Sequence, residues 1–215
     1  MATKRNPSKK TPVRRESGRK AKLQVILDAA LDVFLEKGFA EARLDDVAAQ
    51  AGVAKGTIYL YVPSKQALFE ALVKSGIGGA IGTIEQKVLA LDTSAEEQLK
   101  ALFAFLRREV LGTRRVDIVR LLLREASRFP ELAEIYHREV ISRGLGLLRT
   151  IAERGVACGE FHSDELVRFP QLAIAPGLVA LLWTSLFQRL EPIDVGAMLE
   201  AHLALMMKAL KGPPS

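Results

Sequence analysis

The stretch LDDVAAQAGVAKGTIYLYVPSK, residues 44–65, spells out two short helices and the tight turn between them. Leu44, Val47, Ala48 and Ala51 recur at i, i+3, i+4 and i+7, which is one face of a helix. Gly52 follows where the chain must turn sharply, through a left-handed backbone that costs glycine little. Val53 fills the corner, and Ile58 points inward from the second helix. Ala48 is small where two steeply crossed helices must approach closely. The outward face of the second helix then carries Lys55, Thr57, Tyr59 and Tyr61. Cationic, hydroxylic and aromatic groups suit phosphates and base edges, and such a helix fits the major groove of DNA. The pattern predicts a helix-turn-helix.

Toward the N-terminus, periodicity predicts a helix from about Arg19 to Lys37. Leu23, Leu27, Ala30, Leu31 and Phe34 share one face, and Gly38 ends it. Toward the C-terminus, Ser64 is placed to cap a fourth helix that starts at Lys65. Gly76, Gly78, Gly79 and Gly82 then interrupt helix-forming sequence, each at a cost of about 1 kcal/mol relative to alanine. This patch marks the expected domain boundary, either as a pliable joint or as a place where neighbouring helices pack closely. Three parts are expected: a basic disordered arm over 1–18, a helix-turn-helix DNA-binding domain over 19–79, and a helical domain over 80–215.

The run GFAEARLDDVAAQAGVAKGTIYLYVPSKQALFEALV, from Gly38 to Val73, resembles the DNA-binding domain of the TetR/AcrR family of transcriptional regulators. Residues Ile26 to Phe34 resemble that family's first helix. Ala-Gly-Val, Lys-Gly-Thr-Ile-Tyr and Pro-Ser-Lys at this spacing are far more specific together than a lone short motif. Lys55 and Thr57 are placed for base edges, and Gly56 lets the backbone approach the duplex. Tyr59, Tyr61 and Lys65 are assigned to phosphates, which position a protein on DNA without specifying sequence. For the tyrosines the alternative is core packing with the hydroxyl outward; for Lys65 it is ordinary surface charge. Ala42 and Arg43 stand where the family usually has Thr and then Ser or Thr. Either Arg43 supplies a charged phosphate contact instead, or Asp45 and Asp46 stabilise the helix start through its dipole. Val62 also stands where Phe is commoner. REASRFPEL, Arg124 to Leu132, resembles a piece of the effector domain in one subgroup of the family.

Hydrophobic residues make up 49% of the 215, enough for a sizeable core. The charge is concentrated at one end. Lys4, Arg5, Lys9, Lys10, Arg14, Arg15, Arg19 and Lys20 face only Glu16 within residues 1–20, while the whole chain carries +6. The remainder is therefore close to neutral. A basic arm beside a DNA-reading helix lies along phosphates or in the minor groove, or else it is a solvated tail. A lone cysteine, Cys158, excludes an intramolecular disulfide and fits a reducing cytosol. The N-terminus lacks the apolar core of a signal peptide, and the run Leu172 to Phe187 is short for a membrane span. A cytoplasmic protein with no membrane segment is expected.

Beyond the glycine patch, Ser94 to Glu97 forms a capping box that opens a fifth helix ended by Gly112. Leu99, Leu102, Phe103, Leu106 and Val110 face inward on it. A sixth is expected over Arg115 to Phe129, closed by Pro130, and a seventh from Glu131 to about Arg154, ended by Gly155. Ser163 to Gln188 makes an eighth, kinked or split by Pro170 and Pro176. Pro192 is read into the first turn of the last helix, which runs to Leu210. These last two helices are too apolar for a surface, which implies burial on two sides. Pairing them across a two-fold axis makes a four-helix interface, as TetR relatives usually dimerise, and a homodimer reads a palindromic double-stranded operator.

The resemblance implies an effector pocket in the larger domain, with Phe103, Arg107, Glu125, Trp183 and Phe187 as candidate walls and a hydrophobic or amphipathic small molecule as ligand. Plain core packing is the competing reading for each aromatic. His137, His162 and His202 stand far apart without metal-ligand spacing, and no nucleophile elbow, P-loop or dinucleotide fingerprint occurs. No metal, no cofactor and no enzymatic activity are expected. The expected protein is all-α: a three-helix DNA-binding domain followed by a helical ligand-binding and dimerisation domain, acting as a repressor that an effector releases from DNA. Two alternatives stand beside it. One is a DNA-binding regulator controlled by a protein partner, the other a helical enzyme or carrier with a vestigial helix-turn-helix.

Overall fold

Gly38, at φ 78° and ψ 163°, breaks the first helix where the sequence places its end. The computed structural model describes residues 12–90 and 92–212, and among these every regular element is helical. They divide into two compact units, one ending at Leu72 and the other starting at Val73.

The first unit holds α1 (Pro12–Glu41), α2 (Leu44–Gln50), α3 (Lys55–Tyr59) and most of α4 (Lys65–Val73). α1 begins at Pro12 rather than near Arg19, so residues 12–18 are helical and not a disordered arm. A proline at the first helical position gives up an N–H that has no intrahelical partner in any case. Residues 1–11 of the expected arm lie outside the described residues. Ile26, Leu27, Phe34, Val47, Ile58 and Leu68 are fully buried or nearly so. The Phe39 ring ties three segments together, 5.4 Å from Phe34 and 6.1 Å edge-on to Phe69. Gly52 has the left-handed backbone its position requires, φ 64°. The Val53 N–H then closes the turn onto the Ala48 carbonyl at 3.0 Å. Ser64 caps α4, accepting from the Ala67 N–H at 3.1 Å.

The second unit contains α5 (Gly79–Leu89), α6 (Ala95–Phe105), α7 (Arg115–Glu125), α8 (Pro130–Tyr136) and α9 (Ser142–Ala157). It continues with α10 (Glu165–Arg168), α11 (Gln171–Leu186) and α12 (Val195–Lys211). π-helical turns occur at Lys74–Gly78, Leu106–Leu111 and His137–Ile141. The glycine patch does not interrupt the helix. A methyl group on Gly76 would stand 2.7 Å from Cδ1 of Ile118, and one on Gly78 3.3 Å from the Glu139 carbonyl oxygen. Close packing is thus present at Gly76 and Gly78. The helical stretch Lys65–Leu89 is long and apolar enough by length and composition to cross a membrane. Ile77, Ile81 and Ile84 from it are nevertheless buried within the second unit, as in a core helix.

Three helix ends here differ from expectation, while the expected split at Pro170 occurs. α7 stops at Glu125, because Pro130 excludes the helical conformation from Phe129 and the intervening turn closes on the Glu125 carbonyl. α9 runs past Gly155 to Ala157, and the left-handed residue that follows it is Gly159, φ 72°. Gly155 is small for another reason. A Cβ there would fall 2.2 Å from the ring of Phe161, which is only 2% exposed. Gly155→Ala is therefore expected to destabilise the protein by about 1–3 kcal/mol, read as a shift in the urea midpoint at unchanged slope. Pro170 splits α10 from α11, whereas Pro176 stays inside α11. Finally, Asp194 caps α12 by accepting from the Ala197 N–H at 3.0 Å, so Pro192 precedes that helix rather than joining its first turn.

Ser94 caps α6, with the Glu97 N–H donating to its hydroxyl at 3.1 Å, while the Glu97 carboxylate accepts from Lys100 at 2.9 Å. Its neighbours Ala95 and Glu96 donate their N–H groups to the Glu160 carboxylate at 2.7 and 2.8 Å. A distant acid thus completes the N-terminus of α6. Within the single chain α11 and α12 are buried on one side only. Ala173, Ala180 and Leu181 of α11 and Leu199, Met207 and Leu210 of α12 face the core. Leu172, Val179, Leu182, Leu186 and Leu205 are about half exposed or more.

Candidate functional site

The outward face of the helix-turn-helix is built by α3 and the residues on either side of it. Lys55 opens α3 and pairs with Asp45 at 2.6 Å, both side chains being exposed. The hydrogen bond it donates to Asp45, seconded by that carboxylate's charge, holds the ammonium above its ordinary pKa. Gly56 is exposed, helical and without any atom within 4 Å of where a Cβ would stand. Among the described residues no contact explains that glycine. Thr57 is half-buried, while Tyr59 is 50% exposed, which excludes the core-packing reading for that ring. Tyr61 is half-buried, and the Arg19 guanidinium lies 5.8 Å from its ring centre. Arg19 thereby joins the face, as does Leu60, an apolar side chain 76% exposed. The sequence pattern counted Arg19 only among the basic residues of the N-terminal end and did not single out Leu60, because their place on this face depends on how the end of α3 meets α1.

Arg43 occupies the N-cap of α2 in extended conformation, and its backbone N–H donates to the Asp46 carboxylate at 3.1 Å. Asp46 also pairs with Lys37 at 2.9 Å. The Lys37 hydrogen bond first, then the Arg43 N–H, hold this carboxyl below its usual pKa. Asp46 thus closes the helix start, and the Arg43 side chain remains exposed. Lys65 differs from its expected phosphate role. Its ammonium turns inward, donates to the Phe39 and Ala40 carbonyls, the latter at 2.7 Å, and lies 4.8 Å over the Phe39 ring. The Phe39 and Ala40 carbonyls just past Gly38 draw that cation into the domain, which no local pattern reveals.

The second unit holds a partly open cavity of about 150 Å³. Ile77 and Ile81, Leu102 and Phe103, Val140 and Ile174 contribute to its wall from five different segments. Among the described residues lining it, Tyr136 alone brings a polar side-chain atom. Burial pushes that phenol up to about 12, so it stays a neutral hydroxyl at physiological pH. Such a wall suits a hydrocarbon chain.

Of the five expected wall residues, Phe103 lines this cavity. Arg107 lies instead in an adjoining groove, paired with Glu200 at 2.8 Å. Glu125 is buried, but against Arg124 at 3.1 Å. Trp183 donates its indole N–H to the Glu191 carbonyl at 2.8 Å and meets the Phe187 ring edge-on at 5.2 Å; neither lines the cavity. Of the three aromatic candidates, Phe103 reaches the cavity and Trp183 and Phe187 do not. The wall is mostly aliphatic, with Phe103 and Tyr136 its aromatic members, and its residues differ from other core residues only by where they pack.

Behind Phe103 the His202 ring stacks at 6.1 Å, and its Nε2 is buried with no hydrogen-bond partner. Desolvation lowers its pKa, against the opposing pull of a hydrogen bond with the Leu172 backbone. An unfolded histidine accepts the proton at roughly 6.5 that the folded one resists, so stability is lost as pH falls through that value. Comparing urea midpoints between pH 7.5 and 5.5, a His202→Phe variant is expected to lose less stability than the wild type. Cys158 is exposed, its thiol donating to the Arg154 carbonyl. Among the described residues no cluster of three or more His, Cys, Asp or Glu side chains is arranged to hold a metal.

Residues 26–72, from within α1 into α4, match the family described as bacterial regulatory proteins, tetR family. Over 156 residues the chain is 30% identical to the fatty acid metabolism regulator protein of Bacillus subtilis, covering 73% of this chain and 79% of that one. The chain belongs to the tetR family. It is a DNA-binding transcriptional regulator and not an enzyme. The family frame extends over both units. The fatty acid degradation regulator FadR from Bacillus halodurans superposes with a TM-score of 0.69 at 25% identity, covering 96% of this chain and all of that one. FadR from Bacillus subtilis, solved in complex with stearoyl-CoA, gives 0.67 at 25% identity over 86% of this chain and 98% of that one. In this tetR-family chain the matched stretch carries the face built around α3, and the cavity lies outside it.

Proposed function

We propose that this regulator is a homodimeric repressor that leaves a palindromic operator when a long-chain acyl thioester enters the cavity of its second unit. The observation that carries the reading is the cavity's lining: apolar side chains with one neutral hydroxyl favour a hydrocarbon chain, and since about 150 Å³ holds only a few carbons, the walls part to admit a long one. The stearoyl-CoA bound by the similar Bacillus subtilis regulator supports the same class of ligand.

On DNA, Lys55 exchanges Asp45 for a base edge or phosphate, Thr57 reads beside it, and Gly56 admits the duplex to the helix backbone. Arg43, Tyr59 and Tyr61 hold phosphates, with Arg19 behind Tyr61. These roles belong to the first unit, up to Leu72, rather than to 19–79, and effector binding and pairing to the second, from Val73 rather than residue 80, whose Ile77 already lines the cavity. Leu172, Val179 and Leu186 recur every seven residues and stand exposed on α11. A second copy of the chain covers them, which accounts for apolar side chains that a single chain leaves in water. The effector shifts the protein between DNA-competent and released states only by its difference in affinity for the two.

Selection of bound sites from random double-stranded DNA, followed by titration of palmitoyl-CoA into the resulting complex, tests the reading. The expected result is a palindrome with half-sites about one helical turn apart, released by the thioester. Equal binding of all sequences sinks the DNA half of the reading. A stable operator complex at saturating palmitoyl-CoA sinks the effector half and favours control by a protein partner.

A further inference from the structure

We propose that Arg107 and Arg120 form a head-group subsite that binds the oxyanion carried by the apolar ligand. This rests on the cavity being the effector site. Three cavity walls, Leu111, Val116 and Leu181, also line a separate groove on their other side. That groove opens to solvent and brings two guanidinium groups to its lining, Arg107 from the π-helical turn after α6 and Arg120 from α7. A chain seated in the cavity, with its polar end directed past these shared walls, meets both cations.

The two arginines are held in place without being used up. Arg107 contacts Glu200 at 2.8 Å, and Arg120 contacts Asp117 at 2.7 Å. Each guanidinium has five N–H donors in a planar fork, so a single carboxylate contact leaves donors for a further oxyanion. The Arg107 pair is also well exposed on both sides, and such pairs exchange readily for a bidentate oxyanion. The groove on the opposite side of Ile84 is the rival. It holds Lys87, Arg108 and Arg115, but Glu109 already engages both arginines, at 2.9 and 3.0 Å, and its carboxyl is held low by them. It shares one wall residue with the cavity rather than three. The oxyanion is either a phosphate of a coenzyme thioester or the carboxylate of a free fatty acid; both present the same chemistry to the fork.

The test titrates lauroyl-CoA, laurate and uncharged 1-dodecanol into the full-length wild type, the Arg107→Gln/Arg120→Gln variant and a Lys87→Gln/Arg108→Gln variant, by calorimetry. The expected result is a loss of about tenfold or more in affinity for an anionic ligand in the first variant, with 1-dodecanol unchanged and thermal unfolding intact. A loss for lauroyl-CoA alone names the phosphate, and a loss that includes laurate names the carboxylate. Unchanged binding of every ligand overturns the subsite, as does an equal loss for all three or a loss confined to the Lys87→Gln/Arg108→Gln variant. If the wild type binds none of the three, the cavity reading itself has failed; if it binds 1-dodecanol and the arginines prove indifferent, the subsite alone has.

Discussion

Gly56→Ala is expected to make the first unit more stable and to weaken operator binding in the same molecule. Alanine in a helix is favoured over glycine by about 0.5–1 kcal/mol, nearer the lower figure in a helix as short as α3. Nothing within 4 Å opposes the new methyl group, so that gain is realised. A glycine that costs stability and satisfies no contact among the described residues is explained by a contact outside the protein. The methyl group enters the gap between α3 and the duplex, lifts Lys55 and Thr57 away from base edges, and lowers operator affinity by about tenfold or more. Urea unfolding and a mobility shift on the selected operator read the two quantities separately. A variant that is less stable, or one that binds the operator as well as the wild type, removes the duplex from the explanation.

Filling the cavity is expected to uncouple ligand from DNA. Val140 is 5% exposed and lines the cavity from the π-helical turn after α8. Val140→Trp places an indole in space that the hydrocarbon chain needs. Because the ring enters an existing void, the cost falls at or below the roughly 1–3 kcal/mol usual for overpacking. Affinity for palmitoyl-CoA should drop by about a hundredfold or more, since the chain has no other apolar route. Operator affinity should stay within about twofold, because a ligand site acts on DNA binding only through occupancy. The variant is then a repressor that does not let go. Unchanged palmitoyl-CoA binding would place the ligand elsewhere, and a parallel loss of operator binding would mean that Val140 supports the folded unit rather than the site.

Features set by neighbours a few residues apart are legible in the amino-acid sequence. The helix-turn-helix is one, since Leu44, Val47, Ala48, Gly52 and Ile58 determine a turn by spacing and backbone conformation alone. The caps at Ser64 and Ser94 are others, each a hydroxyl three residues from the N–H it accepts. The outward position of Lys55 and Tyr59 follows from the same helical phase. Legibility fails where a residue answers to something distant in the chain. Gly155 reads as a helix stop until Phe161 folds onto it, and Lys65 reads as a phosphate ligand until two carbonyls after Gly38 claim it.

By itself, then, the order of amino acids determined an all-helical chain, the DNA-reading motif and its exposed face, because those rest on contacts within one or two turns of helix. Only the tertiary structure decided which aliphatic side chains surround empty space, which of the aromatics stand apart from it, and that Arg107 and Arg120 share a groove beside it. A cavity wall is assembled from segments far apart in the chain, and its residues obey the same helical periodicity as any other core residue. Periodicity reports that a side chain is buried; it does not report what lies on the far side.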